Sequence, residues 1–580
     1  MNLQTIIDSL ISDTLQTSLP LFRPELALCA TIVLMLLVRV FRGGEHVPPF
    51  LLAMIGSLVA LWLAFPQEGF ASWSSVAPQE LFTGMLVYDT LTAAMRVFLL
   101  AFVVLFIVLS RLTGLADRVD GQDFYTLVLG ATLGMCIMAS ANHLLTIFLG
   151  VEMASVPSYV LAGIVRGQRK GSEASLKYAV YGAGTAGVML YGISLLAGVL
   201  GTAHLPTMAR KLAAMDLSAL FVSSDGSLTV MVLALGGLML GVGLAFKLSA
   251  VPFHFWCPDV FEGASAEVDA LLSVASKAAA LALLVRVGFG LGYIHEDSPT
   301  ARQAAQPRAV FATALGGEAA PAIDAASKVR TPIVKPLALQ SEVVADESPL
   351  APVRRFFVLL VAIVAIVTCT FGNLAAYGQT NIKRMLAYST IAHAGYMMMA
   401  AAAAVALLGR GIQQSQFAVS SLLLYIAIYL FMNLGAFAVV AFLRNEMHSE
   451  EIKDYAGLIR QCPMIAVMMT AILVSLTGLP PLAGFWPKLR VLQALYMAGG
   501  PLMIFVLVAA ALNTVISLVY YLRLAKTMCM DAEPDTRGPV SLGFLPATYV
   551  LVLALPVLVL GVLPDGLAHW ADQAVSQLFF

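Results

Sequence analysis

Apolar runs of about 20 residues, the length a helix needs to cross the hydrocarbon core of a bilayer, recur from one end of this chain to the other. In lipid, only helices and closed barrels satisfy every backbone N–H and C=O group, and uninterrupted runs of this length select helices. Reading the runs between polar or Gly/Pro breaks predicts about fourteen crossings. They start near Leu26, Phe50, Leu86, Phe124, Leu144, Ser175, Thr229, Glu267, Phe356, Met385, Phe417, Met464, Leu502 and Phe544. With 60% of 580 residues hydrophobic and 12% charged, a water-soluble domain is excluded, and the fold class is an all-α polytopic membrane protein.

Basic residues orient the crossings. Arg39 and Arg42 follow the first run, Arg111 and Arg118 the third, Arg166, Arg169 and Lys170 the fifth, and Lys383 and Arg384 the ninth. Arg444, Lys453 and Arg460 follow the eleventh, and Arg523 and Lys526 the thirteenth. Loops after odd-numbered helices are therefore expected on the cytoplasmic side and both termini on the other, with Arg210, Lys211 and Arg410 as exceptions. The N-terminus lacks a signal-peptide pattern, so the first run reads as a permanent helix. Six cysteines without paired spacing suggest neither disulfides nor a metal centre, and a net charge of −1 gives no sign of a nucleic-acid partner.

Ionisable residues inside these runs carry the functional signal. Glu152 stands alone in the run from Leu144 to Val165, and Lys247, Lys277 and Lys488 lie in other spanning segments. A charge at bilayer depth costs from about 2.5 kcal/mol upward, so such groups mark ion or proton pathways. Helix breakers flank two of the lysines: Pro252 and Pro258 follow Lys247, while Thr477-Gly478-Leu479-Pro480-Pro481 and Pro487 lead into Lys488. The seventh and twelfth crossings thus read as broken helices, five apart. A five-helix unit duplicated at that interval would insert in opposite senses, the inverted-repeat plan of many transporters. The expected organisation is an N-terminal three-helix region at 1–122, a first repeat at 123–295 (helices 4 to 8) and an insertion at 296–355 on the non-cytoplasmic side. A second repeat at 356–530 (helices 9 to 13) and a C-terminal helix and tail at 531–580 complete it. The segment from Glu296 to Arg355, rich in Ala, Pro and mixed charge, holds no spanning run and reads as a loosely docked excursion rather than a catalytic unit.

Particular stretches resemble a known family. The block Phe246-Lys247-Leu248-Ser249-Ala250-Val251-Pro252-Phe253-His254-Phe255-Trp256-Cys257-Pro258-Asp259-Val260-Phe261-Glu262-Gly263-Ala264, followed by Ser273 to Ala279, is similar to the pattern of subunit N of proton-pumping NADH-quinone oxidoreductases. Phe148 to Glu152, Glu173 to Tyr178, Asn381 to Ser389 with His393 to Tyr396, and Leu479 to Phe485 through Lys488 match in the same order, covering most of the chain from Phe124 to Lys526. The resemblance implies a fourteen-helix antiporter-like fold that translocates protons when quinone is reduced elsewhere in the complex. It implies an enzyme subunit without its own redox centre: no cofactor on this chain, with NADH, FMN, iron-sulfur clusters and quinone held by other subunits. Its partners would be the other membrane-arm subunits, lipid and protons, in a bacterial plasma (inner) membrane. Carried over by position, Glu152 and Lys177 form a coupled carboxylate–ammonium pair, Lys247 is the central proton-holding lysine, Lys277 a relay lysine and Lys488 the terminal one. His254, Lys383 and His393 serve as auxiliary relay residues.

General chemistry makes such a row workable. An ammonium in low-dielectric surroundings loses solvation of its charged form and can release a proton near neutrality, while a nearby carboxylate opposes that release. Water must bridge groups that side chains cannot reach. Structural alternatives stand beside each assignment. Lys177 fits a snorkelling anchor. Lys247 and Lys488 fit ammonium groups bound to carbonyls freed by helix breaks, His254 a hydrogen-bonded core histidine, and Lys383 and Arg384 topology anchors. Rival functions are a subunit of a multisubunit cation/proton antiporter, or a membrane-arm scaffold. One departure from the family pattern lies after Gly263-Ala264, where Pro and small hydroxyl residues usually follow: here Glu267 and Asp269 begin the eighth helix, as dipole-favoured acids or as groups tuning proton uptake.

Overall fold

The computed structural model describes residues 3–41, 47–66, 76–217, 220, 224–294, 348–534 and 537–578. Of the excursion expected at 296–355, residues 296–347 lie outside the described residues, and its expected end is too late, since a helix already begins at Ala351. Helices α1 (Arg23–Val40) and α2 (Pro49–Ala64) are followed by a two-stranded antiparallel hairpin, β1 (Gln79–Leu81) with β2 (Leu86–Tyr88). Next come α3 (Thr90–Leu112), α4 (Gly121–Ser140), α5 (Leu144–Ala162) and α6 (Arg169–Leu200). Two interrupted elements follow: α7a (Ser224–Leu248) with α7b (Trp256–Gly263), and α8a (Ala266–Ser273) with α8b (Ala275–Gly292). The second half holds α9 (Ala351–Ala376), α10 (Ile382–Leu407), α11 (Ile412–Met447), α12a (Pro463–Thr477) with α12b (Phe485–Ala498), α13 (Gly500–Cys529) and α14 (Phe544–Val562).

Among the described residues, eleven helices are long and apolar enough to cross a membrane, or up to twelve if Leu10–Leu21 and Arg23–Val40, bent by 81° against each other, form one span. The expected fourteen fall short at the shorter elements. With 16 residues in α2 and 15 in α12a, these helices reach about 22 to 24 Å against a hydrocarbon core of about 30 Å. The crossing expected near Leu86 begins at Thr90, because Leu86 pairs in β2 and Asp89 caps the helix, accepting from Thr92 N at 2.8 Å. Side chains likewise set other starts. Asn381 accepts from Lys383 N and Arg384 N ahead of α10, and Asp120 accepts from Gln122 N and Asp123 N ahead of α4.

The span Ala266–Gly292 is wholly enclosed by protein, and α10 and α11 are nearly so, whereas α6, α7a and α13 show most of their surface. These three central elements form the axis of the bundle, and apolar faces of the outer helices are left for lipid or neighbouring chains. Buried ion pairs pin the N-terminal helices to that axis. Arg286 of α8b grips both carboxylate oxygens of Asp89 at 2.5 Å and also donates to Ala139 O at 3.1 Å and Thr92 Oγ1 at 2.8 Å. Arg96 Nε meets Glu25 Oε1 at 2.6 Å, both side chains fully enclosed.

Removing one member of a buried pair strands the other charge, at about 3–5 kcal/mol. Arg286→Leu is therefore expected to lower the thermal transition of the purified protein markedly. The double variant Arg286→Leu with Asp89→Leu recovers part of that loss, as a thermal melt of the three proteins would reveal.

Candidate functional site

The two predicted helix breaks exist and have equal length: residues 249–255 part α7a from α7b, and residues 478–484 part α12a from α12b. Each is closed by local donors. In the first, Ser249 N and Trp256 Nε1 donate to Phe246 O at 2.9 and 3.0 Å, and Val251 N donates to Thr368 Oγ1 at 2.9 Å. In the second, Gly484 N donates to Ser475 Oγ at 2.9 Å, Ala483 N to Val557 O at 3.0 Å and Trp486 Nε1 to Gly561 O at 2.8 Å. Gly484 lies so close to α12a that a Cβ there would sit 1.9 Å from Ser475 O, so only glycine lets the break fold back.

Lysines sit at both breaks. Lys247, the penultimate residue of α7a, is 1% exposed and donates to Ser155 Oγ of α5 at 3.0 Å rather than to a freed carbonyl. Lys488, in the first turn of α12b, does take a freed carbonyl: its Nζ donates to Thr477 O at 2.9 Å and lies 4.4 Å from the centre of the Tyr396 ring. Lys277, in the first turn of α8b, is 1% exposed, and its Nζ has no hydrogen-bond partner among the described residues. None of the three makes an ion pair among the described residues.

Glu152 is half-buried on α5 and interacts electrostatically with Lys247. Among the described residues, Glu152 and Lys177, expected as a coupled pair, are not in ion-pair contact. Lys177 instead holds Glu173 Oε1, one helical turn before it, and Asp259 Oδ2 of α7b, each at 2.8 Å. Those two acids offer contact-distance partners beside the start of α6, leaving Glu152 to Lys247. His254 is half-buried in the first break and packs edge-on to Phe371 of α9 at 4.3 Å, away from the central axis.

His393 of α10 occupies the axis. Its Nδ1 meets Tyr425 OH at 2.8 Å and its Nε2 meets Tyr521 OH at 3.2 Å, with the Tyr429 ring 5.0 Å away. Tyr521 OH is in turn hydrogen-bonded to Ser389 Oγ. Lys277 and Lys488 both act electrostatically on this histidine. Lys383 is buried at the start of α10, where its Nζ donates to Ala264 O at 2.7 Å and pairs with Glu450 at 2.9 Å; Arg444 pairs with the same Glu450 at 3.0 Å. Arg384 bridges Asp259 at 3.1 Å and Glu262 at 2.7 Å, and Lys170 joins Glu262 at 2.8 Å. Sequence reasoning had no assignment for Asp259, Glu262, Glu450, Tyr425 or Tyr521. For Asp259 and Glu262 the signal was their three-residue spacing on one short helix; the others come from elements far along the chain.

This arrangement defines an antiporter-like polytopic membrane protein, with broken helices and an interior row of cationic side chains. The family described as NADH:quinone oxidoreductase/Mrp antiporter, TM, matches residues 141–314 and 343–515. Over 577 residues the chain is 36% identical to NADH-quinone oxidoreductase subunit N of Anaeromyxobacter sp. (strain Fw109-5), covering 98% of each. The chain belongs to this family, among the subunit N proteins of NADH-quinone oxidoreductases. Its fold is similar to a chain of respiratory complex I from Thermus thermophilus, with TM-score 0.66, 26% identity and coverage of 94% of this chain and 98% of that one. A chain of the Mrp complex from Dietzia sp. DQ12-45-1b shares the fold at TM-score 0.67 and 16% identity, with 96% of each covered.

Ion pairs at the charged face differ in burial, and their worth should differ with it. Lys177 and Asp259 are each about a third exposed, a setting worth under about 1 kcal/mol. Glu450 serves two cations and its partner Lys383 is 2% exposed. Glu450→Gln is expected to lower the melting temperature several times more than Asp259→Asn; equal shifts in a thermal denaturation series would refute this ranking.

Proposed function

We propose that this chain carries protons through the membrane arm of NADH-quinone oxidoreductase along a water-linked relay of Glu152, Lys247, Lys277, His393 and Lys488, driven by quinone reduction elsewhere in the complex. The observation that carries the reading is that Lys247, Lys277 and Lys488, 1%, 1% and 6% exposed, sit in the interior with no carboxylate in contact among the described residues. A structural lysine at that depth would be expected to hold a paired anion, because an uncompensated buried charge costs several kcal/mol. A group that exchanges its proton does not hold a fixed charge and needs no such partner.

Each member has a physical task. Glu152, half-exposed on the flank of α5, acts on Lys247 by charge, so a change at Glu152 alters how firmly Lys247 holds its proton. Lys177, fixed by Glu173 and Asp259, sets the field at the cytoplasmic start of that route. Lys277 passes a proton to the His393 cluster and Lys488 receives it beside the second break. Lys383 anchors the charged face through Glu450, and His254 stands at the margin of the route. Water bridges the intervening distances.

The same reading places fourteen crossings in two inverted five-helix units, supported by the equal seven-residue breaks in α7 and α12. It puts Lys170, Lys383, Arg384 and Arg444, which share one ion-pair network or its neighbour, on the cytoplasmic side of a bacterial plasma membrane, and both termini opposite. The chain itself performs no electron transfer; NADH, FMN, iron-sulfur clusters and quinone belong to other subunits. Cation/proton antiport is the less favoured function, since the Mrp likeness stands at 16% identity against 36% for subunit N of Anaeromyxobacter.

Lys247→Ala in membrane vesicles, with assembly of the complex verified, is expected to abolish proton pumping, with quinone reduction slowed or uncoupled. Pumping at the unaltered rate in the assembled variant would make Lys247 structural and favour a scaffold role.

A further inference from the structure

Two acids that the relay does not use lie at the start of α8a. Ser265 Oγ accepts from Val268 N at 3.5 Å and Ser265 O from Asp269 N at 3.0 Å, so the helix start is capped without them. Had Glu267 and Asp269 served as caps, their oxygens would accept from first-turn N–H groups. Instead, Asp269 is 0% exposed and neither Oδ1 nor Oδ2 has a hydrogen-bond partner among the described residues; Glu267, 4% exposed, leaves Oε2 in the same state.

The surroundings explain why no cation comes to them. α8a packs against α11, α8b, α10, α3 and α5. The charged groups acting on Asp269 are Glu267 of its own helix, Lys383 of α10, Arg444 of α11 and Glu450 just beyond α11, and the Cys257 thiol of α7b also lies within its field. Lys383 is committed to Glu450 and Ala264 O, and Arg444 to Glu450. Asp269 therefore lies behind the charged face with no counter-ion in contact among the described residues. An ionised carboxylate in such a place is costly unless hydrogen-bonded, whereas a protonated one is neutral and has an O–H to donate. Eight residues further along the same enclosed span, beyond the interruption at Val274, Lys277 Nζ is also without a partner among the described residues.

We propose that Asp269 is a proton-binding carboxylate heading a branch from the Lys383–Glu450–Arg444 face to Lys277, with Glu267 as the neighbouring charge that tunes it. A proton arriving through water at the face binds the Asp269 carboxylate. The carboxylic acid then passes that proton, through water, to the neutral amine of Lys277, leaving a carboxylate and an ammonium; no other bond changes. This rests on the proton-transfer reading of the lysine row.

The test uses the assembled complex in vesicles, measuring protons pumped per NADH oxidised across a pH series for wild type, Asp269→Asn, Asp269→Glu and Lys247→Ala. Asp269→Asn is expected to lose pumping increasingly as the pH rises, because uptake then draws directly on bulk protons, and Asp269→Glu is expected to restore the wild-type profile. A wild-type profile in Asp269→Asn overturns the proposal, provided Lys247→Ala stops pumping; if Lys247→Ala also pumps normally, the lysine relay itself fails. Should Asp269→Asn not assemble, infrared difference spectra of wild-type complex carrying isotope-labelled aspartate decide. A labelled carboxylic-acid band that changes on turnover is expected and its absence sinks the idea.

Discussion

A helix that stops inside a hydrocarbon layer frees backbone groups that lipid cannot satisfy, and the arrangement of this protein follows from how those groups are met. At the second break the remedy includes a charge: Thr477 O takes the Lys488 ammonium, while Ser475 Oγ takes Gly484 N. At the first, the Trp256 indole takes Phe246 O, so Lys247 is left to reach across to Ser155 on α5. One break thus holds its lysine and the other releases it toward Glu152. The enclosed helices α8b, α10 and α11 pack against the broken helices, which makes interior cations tolerable.

Charge is sorted by depth. At the face, Lys170, Lys177, Lys383, Arg384 and Arg444 each meet a carboxylate, through Glu173, Asp259, Glu262 and Glu450. Toward the N-terminal region, Arg286 and Arg96 are paired although fully buried, and those pairs serve to hold helices together. The three lysines of the interior have no such anion in contact among the described residues. Burial alone does not separate the two groups, since Arg286 and Lys277 lie on the same helix; what separates them is whether a carboxylate is placed within reach.

Much of this is legible in the sequence, for identifiable reasons. The spans follow from apolar length, and the broken helices from Pro252, Pro258, Pro480 and Pro481. Glu152 and the lysines stand out because charge is rare at depth. The partners were not legible: Glu450 meets Lys383, and Tyr521 meets His393, across long stretches of chain, and no local pattern encodes such meetings. The Glu152–Lys177 pairing illustrates the limit. The contact partners of the Lys177 ammonium are Glu173 and Asp259, the second brought back by the break after Leu248. Asp269 reads as an N-terminal acid from its position, and only its enclosure sets it apart.

The surroundings of His393 carry a consequence of their own. Each ring nitrogen meets a phenol, and a phenol can donate or accept by turning its O–H, as can the Ser389 hydroxyl beyond Tyr521. The imidazole can therefore be held as either tautomer, the Tyr425, Tyr521 and Ser389 hydroxyls turning to match whichever nitrogen carries the proton; passing between the two takes a proton delivered to one nitrogen and one removed from the other. The centre of the bundle is in this sense ambidextrous: the imidazole can donate toward α11 or toward α13, and the same side chains serve both arrangements.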